Sequence, residues 1–570
     1  MKKIISILLC VIMIFSVGTV AYAENIQQPE IIDTASMNGV FEEIGKYVDK
    51  DKINIPTTKA QLEQTGKRLL WNVVQALVDT IVKTLEQVIP VVQFPAKADY
   101  EYEAFYPGMD KFLNEPVQGA VWNIGYGSAS LQTGNELDGK HMVAGSLSLD
   151  KSATAIYDDQ RVRAIAMNDG SGRGTVVFAV LDAFGLSSGD VQGIRSTLKD
   201  FAQANNIIGI NLSVLHQHSC VDTFGMNGNI LKMVFINPLI SFFNNMFGTK
   251  LDTINGQNKD FMANLYKVTA ESVKNAVNTM KPGRLFYSEI EASSYMYDKR
   301  TPYVVDPYMH VFKFVPSDGS RQTWLCNAGI HCVGNGAAGT EVTGDYPYYM
   351  EQVINERADA NFVYYQGAEL AITSEYDAIQ DKITDEMPRI EKLAIFGETL
   401  GNLVVDSKAP VKEVAPLLNY KAMTYFVPVN NSLLSFLGKM GALTNNCVAD
   451  DNIQFNVEVA TEIGYLELGR DIAVAIVPGE LEPTLAYGGS FTKDDSWRGT
   501  DFNYPTFQDV VGKDRELIVF GLSNDQIGYI LADNDYRSMF LENEEIVSTG
   551  SLAGSKTAEA FIQLIDSIER

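Results

Sequence analysis

Thr175–Leu181 reads TVVFAVL, residues 191–204 read VQGIRSTLKDFAQA, and residues 208–215 read IGINLSVL. An unbroken apolar run of that length, rich in valine, is a strand buried on both faces. The middle segment repeats its apolar residues at helical spacing, and the third returns to strand. Strand, helix and strand in direct succession predict a layered α/β fold. Working outward, strands are expected at residues 309–314, 324–330, 472–477 and 516–521, and a closing helix at 557–568. Upstream, residues 58–92 predict a helix, with Leu69, Val73, Leu77 and Ile81 in register and Pro90 as the stop. The expected fold class is therefore α/β, with mixed sheets and flanking helices, preceded by a short helical N-terminal segment. The domain reading is a leader at 1–23, a helical segment at 24–118, loosely ordered up to about residue 56, and the main domain at 119–570.

The first residues have the form of a signal peptide. Lys2 and Lys3 are followed by an apolar run over residues 4–17, and Ala21-Tyr22-Ala23 is a small-x-small cleavage site. Cleavage is expected after Ala23, giving a secreted or otherwise extracytoplasmic protein without a transmembrane anchor. The 570-residue chain is 46% hydrophobic and 20% charged, as globular proteins are. Its formal net charge of −26 argues against nucleic-acid partners and against attraction to anionic lipid headgroups. Four cysteines follow the leader: Cys220, Cys326, Cys332 and Cys447. That is too few for a disulfide framework, and one bridge of unspecified pairing is compatible with them.

Ile230–Phe247 (ILKMVFINPLISFFNNMF) is very apolar but holds Lys232, Pro238 and asparagines. These interruptions argue against a membrane span. Two readings stay open: a buried helix pair, or an apolar lid beside a site.

The chain has only five histidines. His216-Gln217-His218 follows the strand at 208–215. Side chains two apart share a strand face, so the pair would present two imidazoles together, one as a metal ligand and one as a substrate contact. Taken alone, it also fits two surface or core histidines. His331 follows another apolar strand and precedes a glycine-rich loop, with Cys332 beside it as an alternative soft ligand. Glu480, in Val477-Pro478-Gly479-Glu480, follows a buried strand at the end where α/β folds keep their sites. Glu482 competes with it. Tyr529 closes Gly521-Leu522-Ser523-Asn524-Asp525-Gln526-Ile527-Gly528-Tyr529.

In order along residues 120–570, these motifs resemble the neutral (alkaline, non-lysosomal) ceramidase family. His216-Gln217-His218-Ser219 is similar to its His-Thr-His-Ser motif. Ile124-Gly125-Tyr126-Gly127, Arg161-Val162-Arg163-Ala164, Arg300-Thr301-Pro302, Thr343-Gly344-Asp345, Pro478-Gly479-Glu480 and Gly521-Leu522-Ser523-Asn524 through Tyr529 resemble further family segments. The resemblance implies a Zn2+ site held by His216, His331, Glu480 and Tyr529. It implies that His218 contacts substrate and donates to the developing oxyanion, and that Arg300 faces the pocket. It implies hydrolysis of the N-acyl amide of a ceramide-like lipid to a fatty acid and a sphingoid base. Imidazole, carboxylate and phenol oxygen are all acceptable donors to zinc.

Three departures bear on the substrate. The family's Gly-Asp-Val-Ser turn is replaced by Gln366-Gly367-Ala368-Glu369-Leu370-Ala371-Ile372-Thr373. The β-sandwich domain that the best-known members carry is expected to be absent, and the N-terminal helical segment lies outside the resemblance. The alternatives are hydrolysis of another lipidated amide or an ester, and a non-catalytic exported binding protein on the same scaffold.

Overall fold

The computed structural model describes residues 59–570 apart from 88, 146–150, 336–338, 490–491, 495 and 538–542; the leader and the segment at 24–56 lie outside the described residues. The two strands that opened the reading lie side by side and parallel. They belong to a large mixed sheet built from β1 (Trp122–Ser130), β2 (Arg161–Asn168), β3 (Thr175–Leu181), β4 (Ile207–Val214), β5 (Lys281–Glu291), β6 (Tyr308–Pro316), β7 (Gln322–Ala328) and β8 (Ala360–Gln366). The order is β8-β7-β6-β5-β1-β2-β3-β4, with Lys412–Val414 added against β5. A second mixed sheet runs β9 (Leu418–Pro428), β10 (Glu458–Leu468), β11 (Ile472–Ile476) and β12 (Glu516–Phe520), with Cys447–Val448 beside β10. β11 and β12 are parallel.

The helices used below are α1 (Lys59–Glu86), α2 (Ser188–Thr197), α3 (Lys199–Ala204), α4 (Ile230–Phe247), α5 (Lys259–Asn278), α6 (Asp345–Ala358), α7 (Arg389–Asp406), α8 (Ser432–Lys439) and α9 (Ala553–Asp566).

Alternation along the strands sets the layers. In β3, Val176, Phe178 and Val180 join one core with Val474, Ile476, Ile518 and Phe520 of the second sheet. Val177, Ala179 and Leu181 point the other way, onto Val191 and Ile194 of α2 and Phe261, Leu265 and Val273 of α5. In β11, Ala473 and Ala475 share a third core with Phe561 and Leu564 of α9. The result is helices, sheet, sheet, helix: two sheets face to face with α-helical covers. Every residue of β3 is buried, as its unbroken apolar run demands. Gly125 lets α5 lie close on β1, because a Cβ there would sit 2.0 Å from the Ala276 carbonyl oxygen. A fully buried ion pair ties the layers: Arg195 of α2 holds Glu462 of β10 through both guanidinium NH groups.

Several expectations shift. The single helix at 191–204 is two, α2 and α3, separated at Leu198. In α1, Val73 and Leu77 are exposed. The buried seam is Val78, Val82 and Leu85, one position round the helix, because Phe436, Met440 and Phe455 supply the receiving surface there. Beyond α1 the segment assigned to 24–118 is largely irregular, and Met109 and Phe112 enter the core of the second sheet. All four described cysteines are free thiols. No described helix is long and apolar enough to cross a membrane.

Candidate active site

Four strands end at one place, two from each sheet. His216 follows β4, His331 follows β7, Glu480 follows β11 and Tyr529 follows β12. β4 lies at one edge of the large sheet and β7 near the other, so the sheet must curl to bring them together. Gln366, at the end of β8, bridges the gap by donating from Nε2 to the Leu215 carbonyl (3.0 Å) and the Ile330 carbonyl (2.8 Å). The backbone N–H of His218 donates to the Cys332 carbonyl at 3.0 Å. The second sheet is stitched on by Asn524, whose N–H donates to the Leu212 carbonyl at 2.7 Å. Glu480–Leu481 and Tyr529–Ile530 then pair as a short parallel ladder.

The His-x-His pair reaches the site by a turn and not by the pleat of a strand. β4 stops at Val214, and His216 takes a left-handed backbone with φ of 53°. That conformation is uncommon for a residue with a Cβ, and such strain gathers at functional sites. It sets the ring centroids of His216 and His218 4.8 Å apart and those of His216 and His331 5.0 Å apart.

Four donor atoms converge. Glu480 Oε2 is 3.3 Å from His216 Nε2 and 3.1 Å from His331 Nε2, and the Tyr529 hydroxyl is 3.5 Å from that same Nε2. His216 Nδ1 lies 2.8 Å from the Phe184 carbonyl oxygen. A carbonyl only accepts, so Nδ1 carries the proton and Nε2 turns its lone pair inward. Burial presses His216 down to about 4 despite Glu480, which keeps it neutral. His331 is held through Nδ1 by the Glu369 carboxylate in an ion pair and by the Glu369 backbone carbonyl at 3.2 Å. Burial opposes its charge, but Glu369 and then Glu480 outweigh it and raise His331 to about 10. Burial, followed by Glu480, pushes the Tyr529 phenol well up.

The donor set fits a metal ion. Glu480 Oε2 is buried with no hydrogen bond and faces both imidazole Nε2 atoms, so that one cation among them would satisfy a carboxylate and two ring nitrogens at once. Within the described residues, His216–His218–His331 and His331–Glu369–Glu480 form two groups with ligand atoms close enough to share an ion. Both belong to one cluster, because His331 is common to them.

His218 differs from its neighbours. Its Nδ1 faces the Gly145 carbonyl oxygen, so the proton sits there and Nε2 is left as a buried acceptor without a partner. Burial holds the ring well below the usual range. A neutral His218 in this tautomer accepts a hydrogen bond at Nε2, and the expected oxyanion donor role is reversed. Gly145 is required where it stands: its φ is 86°, and a Cβ would lie 2.2 Å from the Cα of His218.

Arg300 does not join the pocket. Its guanidinium is enclosed by Asp535 (2.9 Å) and Glu545 (2.9 Å), with Glu482 at 3.8 Å. Glu482 faces that arginine and accepts from the Ala532 N–H at 2.9 Å, so the competition with Glu480 resolves to Glu480. Cys332 Sγ lies by Gln366 at 3.3 Å and is outside both candidate ligand groups. The remaining histidines are engaged elsewhere, His141 with Asp138 and His310 with Tyr287 and Asp306. The sequence reading passed over Glu369. Its signal was there: it is the one acid in the turn that follows the buried strand β8.

His216, His218, Glu480 and Tyr529 supply the polar side of a pocket open to solvent, whose walls include Phe184, Phe224, Met226, Leu434, Val457 and Ile527. A few polar groups converging in an apolar cleft is the usual form of a small-molecule site.

No family model matches the sequence, and no curated protein matches it. Among solved structures, the chain is similar to the neutral ceramidase from Pseudomonas aeruginosa, with a TM-score of 0.57 at 14% identity, covering 80% of this chain and 76% of that one. It is also similar to a ceramidase complexed with C2, with a TM-score of 0.54 at 14% identity, covering 78% and 75%. The likeness bears out, at the level of fold, the resemblance seen in the motifs.

Proposed function

We propose that the protein is an exported, zinc-dependent amidohydrolase that cleaves the N-acyl bond of a ceramide-like lipid into a fatty acid and a sphingoid base. The observation that carries this is the meeting of two imidazole Nε2 atoms, the Glu480 carboxylate and the Tyr529 hydroxyl, with His216, Glu480 and Tyr529 lining an apolar pocket. The fold shared with neutral ceramidase structures agrees with it.

His216, His331, Glu480 and Tyr529 would hold the zinc. A bound zinc supplies charge that polarises the amide carbonyl and lowers the pKa of water toward neutrality. The chain's own groups do the rest. Phe184 and Glu369 fix the two ligand imidazoles with Nε2 inward. His218 Nε2 accepts a hydrogen bond from a hydroxyl of the lipid's polar end and orients it. The apolar walls hold the acyl chain and exclude bulk water. Arg300 positions Glu482 and the chain around Asp535, behind the ligand loop.

The test is metal analysis of the purified protein beside Glu480→Ala, followed by hydrolysis of a fluorescent-acyl ceramide. About one zinc per chain, lost in the variant together with amide cleavage, supports the reading. A wild type that binds no zinc after reconstitution sinks it and turns the assignment to a binding protein.

A further inference from the structure

The helix α4 keeps most of its apolar side chains outside. Its buried side chains include Met233, Asn237, Pro238 and Ser241, while Phe235, Leu239, Phe243, Met246 and Phe247 are exposed, the last two by 60% and 62%. The polar residues are spent on the protein. Asn237 exchanges hydrogen bonds with Ile254 N–H and carbonyl, and Asn244 does the same with Leu251. An amphipathic helix in water turns the other way, and an exposed apolar surface of this kind marks an interaction site.

Three ties fix α4 in place, two of them at the pocket. Phe224, Met226 and Asn227 line the pocket, and the chain passes from them through Asn229, the N-cap, into α4. Asn245 donates to the Val91 carbonyl at 3.2 Å, beyond the end of α1. Thr253, on the return from α4, donates to the Gly441 carbonyl at 2.6 Å, just after α8, whose Leu434 and Gly438 are pocket wall.

Charge selects the occupant. Between Lys232 and Lys250 there is no acidic or basic residue, and both lysines are exposed. A second copy would bring one chain of net charge −26 against another, and the same charge repels anionic lipid. A zwitterionic surface meets neither obstacle, and its phosphates suit lysines placed at the two ends of an apolar face. We propose that α4 lies in the surface of a phosphocholine-headed lipid aggregate and holds the pocket mouth against it. The docking stands on this surface alone; that a lipid taken up there is then cleaved rests on the amidase reading above.

The experiment is co-sedimentation of the full chain with phosphatidylcholine vesicles, beside Phe243→Asp/Phe247→Asp and, as control, Val411→Asp, an equally exposed apolar site before Lys412–Val414. Circular dichroism checks each fold. The wild type and the control are expected to bind alike, the double variant at least tenfold less, and phosphatidylglycerol vesicles less than phosphatidylcholine at low salt. An environment-sensitive dye on Met246→Cys, in an otherwise unaltered chain, is expected to shift to the blue on the vesicles, which decides the matter if the double variant unfolds. Equal binding by wild type and double variant, tighter binding to phosphatidylglycerol, an unshifted dye, or a wild-type dimer that the double variant abolishes would overturn the proposal. Cleavage of a detergent-dispersed short-chain N-acyl amide separates the two readings. Retained cleavage by the double variant supports a docking role, and its loss there overturns one. A wild type that cleaves nothing removes the amidase reading and leaves the vesicle result to decide docking.

Discussion

The ligand cluster and α4 break the same rule in opposite directions. One buries titratable groups at the ends of four strands, and the other exposes phenylalanines along eighteen residues. Burying a cluster of titratable groups and exposing aromatic surface both cost folding free energy. The two regions adjoin through Phe224–Asn227. Each is costly in water alone, and each has a partner that would remove the cost: a cation for the cluster and an apolar surface for the helix. On the two readings proposed above, both regions give up folding stability for a partner, and substitutions in them separate stability from function.

The widest separation is expected at Glu480. Glu480→Ala removes the only ligand that faces both imidazole Nε2 atoms. Amide hydrolysis is expected to fall by at least about 10⁴-fold, measured as kcat/KM beside zinc content, with the chain still folded by circular dichroism. Retained zinc and activity would remove Glu480 from the cluster.

The next largest effect is a pH slope set by the buried polar layer. Asp525 is raised by burial from 3.8 to about 7, although its Oδ1 accepts from the Ser188 N–H. A carboxyl raised in the fold contributes stability that is full below its unfolded pKa and lost as pH rises through 7. Between pH 5 and 8 this one group costs about 3 kcal/mol. Asp345, raised by burial to about 7, adds a slope of the same sign. Urea unfolding of Asp525→Asn is expected to show a smaller loss over that range than the wild type. An unchanged slope would mean that Asp525 ionises normally in the fold.

Much of this was legible in the sequence, for physical reasons that differ by element. β3 announced itself because a strand covered on both faces needs no polar residue, and TVVFAVL has only Thr175 at its edge. That His216, His331, Glu480 and Tyr529 meet was legible through the ordered motifs: the first three stand just past predicted strands, and Tyr529 came only with the resemblance. Other features depend on tertiary contacts that no local pattern records. The seam of α1 is set by Phe436, Met440 and Phe455, far along the chain. The tautomer of His218 is set by the Gly145 carbonyl. The curl that brings β4 to β7 rests on Gln366, which nothing in its neighbourhood marks. Arg300 was misplaced for the same reason: its carboxylate partners arrive from residues 535 and 545.

Glu369 sharpens the cluster side more gently. It lies behind His331 on Nδ1 while Nε2 faces Glu480. Glutamine keeps an acceptor for that N–H but removes the charge. Glu369→Gln is expected to weaken zinc binding about 10–100-fold, measured by competition with a chelator, with little change in the urea midpoint. Unaltered zinc affinity would reduce Glu369 to a packing residue.

The smallest expected effect falls on α4, and its smallness is the point. Phe243 is 46% exposed and meets Phe242 and Phe247 of its own helix. Met233, on the other side of the helix, is 3% exposed. Met233→Ala is expected to cost about 2–5 kcal/mol, the usual range for a truncated core methionine. Phe243→Ser removes a larger side chain from the same helix and is expected to change stability by no more than about 0.5 kcal/mol, as surface substitutions do. Urea unfolding of the two variants side by side checks this. Were Phe243→Ser to cost as much as Met233→Ala, the exposed phenylalanines would be supporting the fold, and the helix would need no partner to account for them.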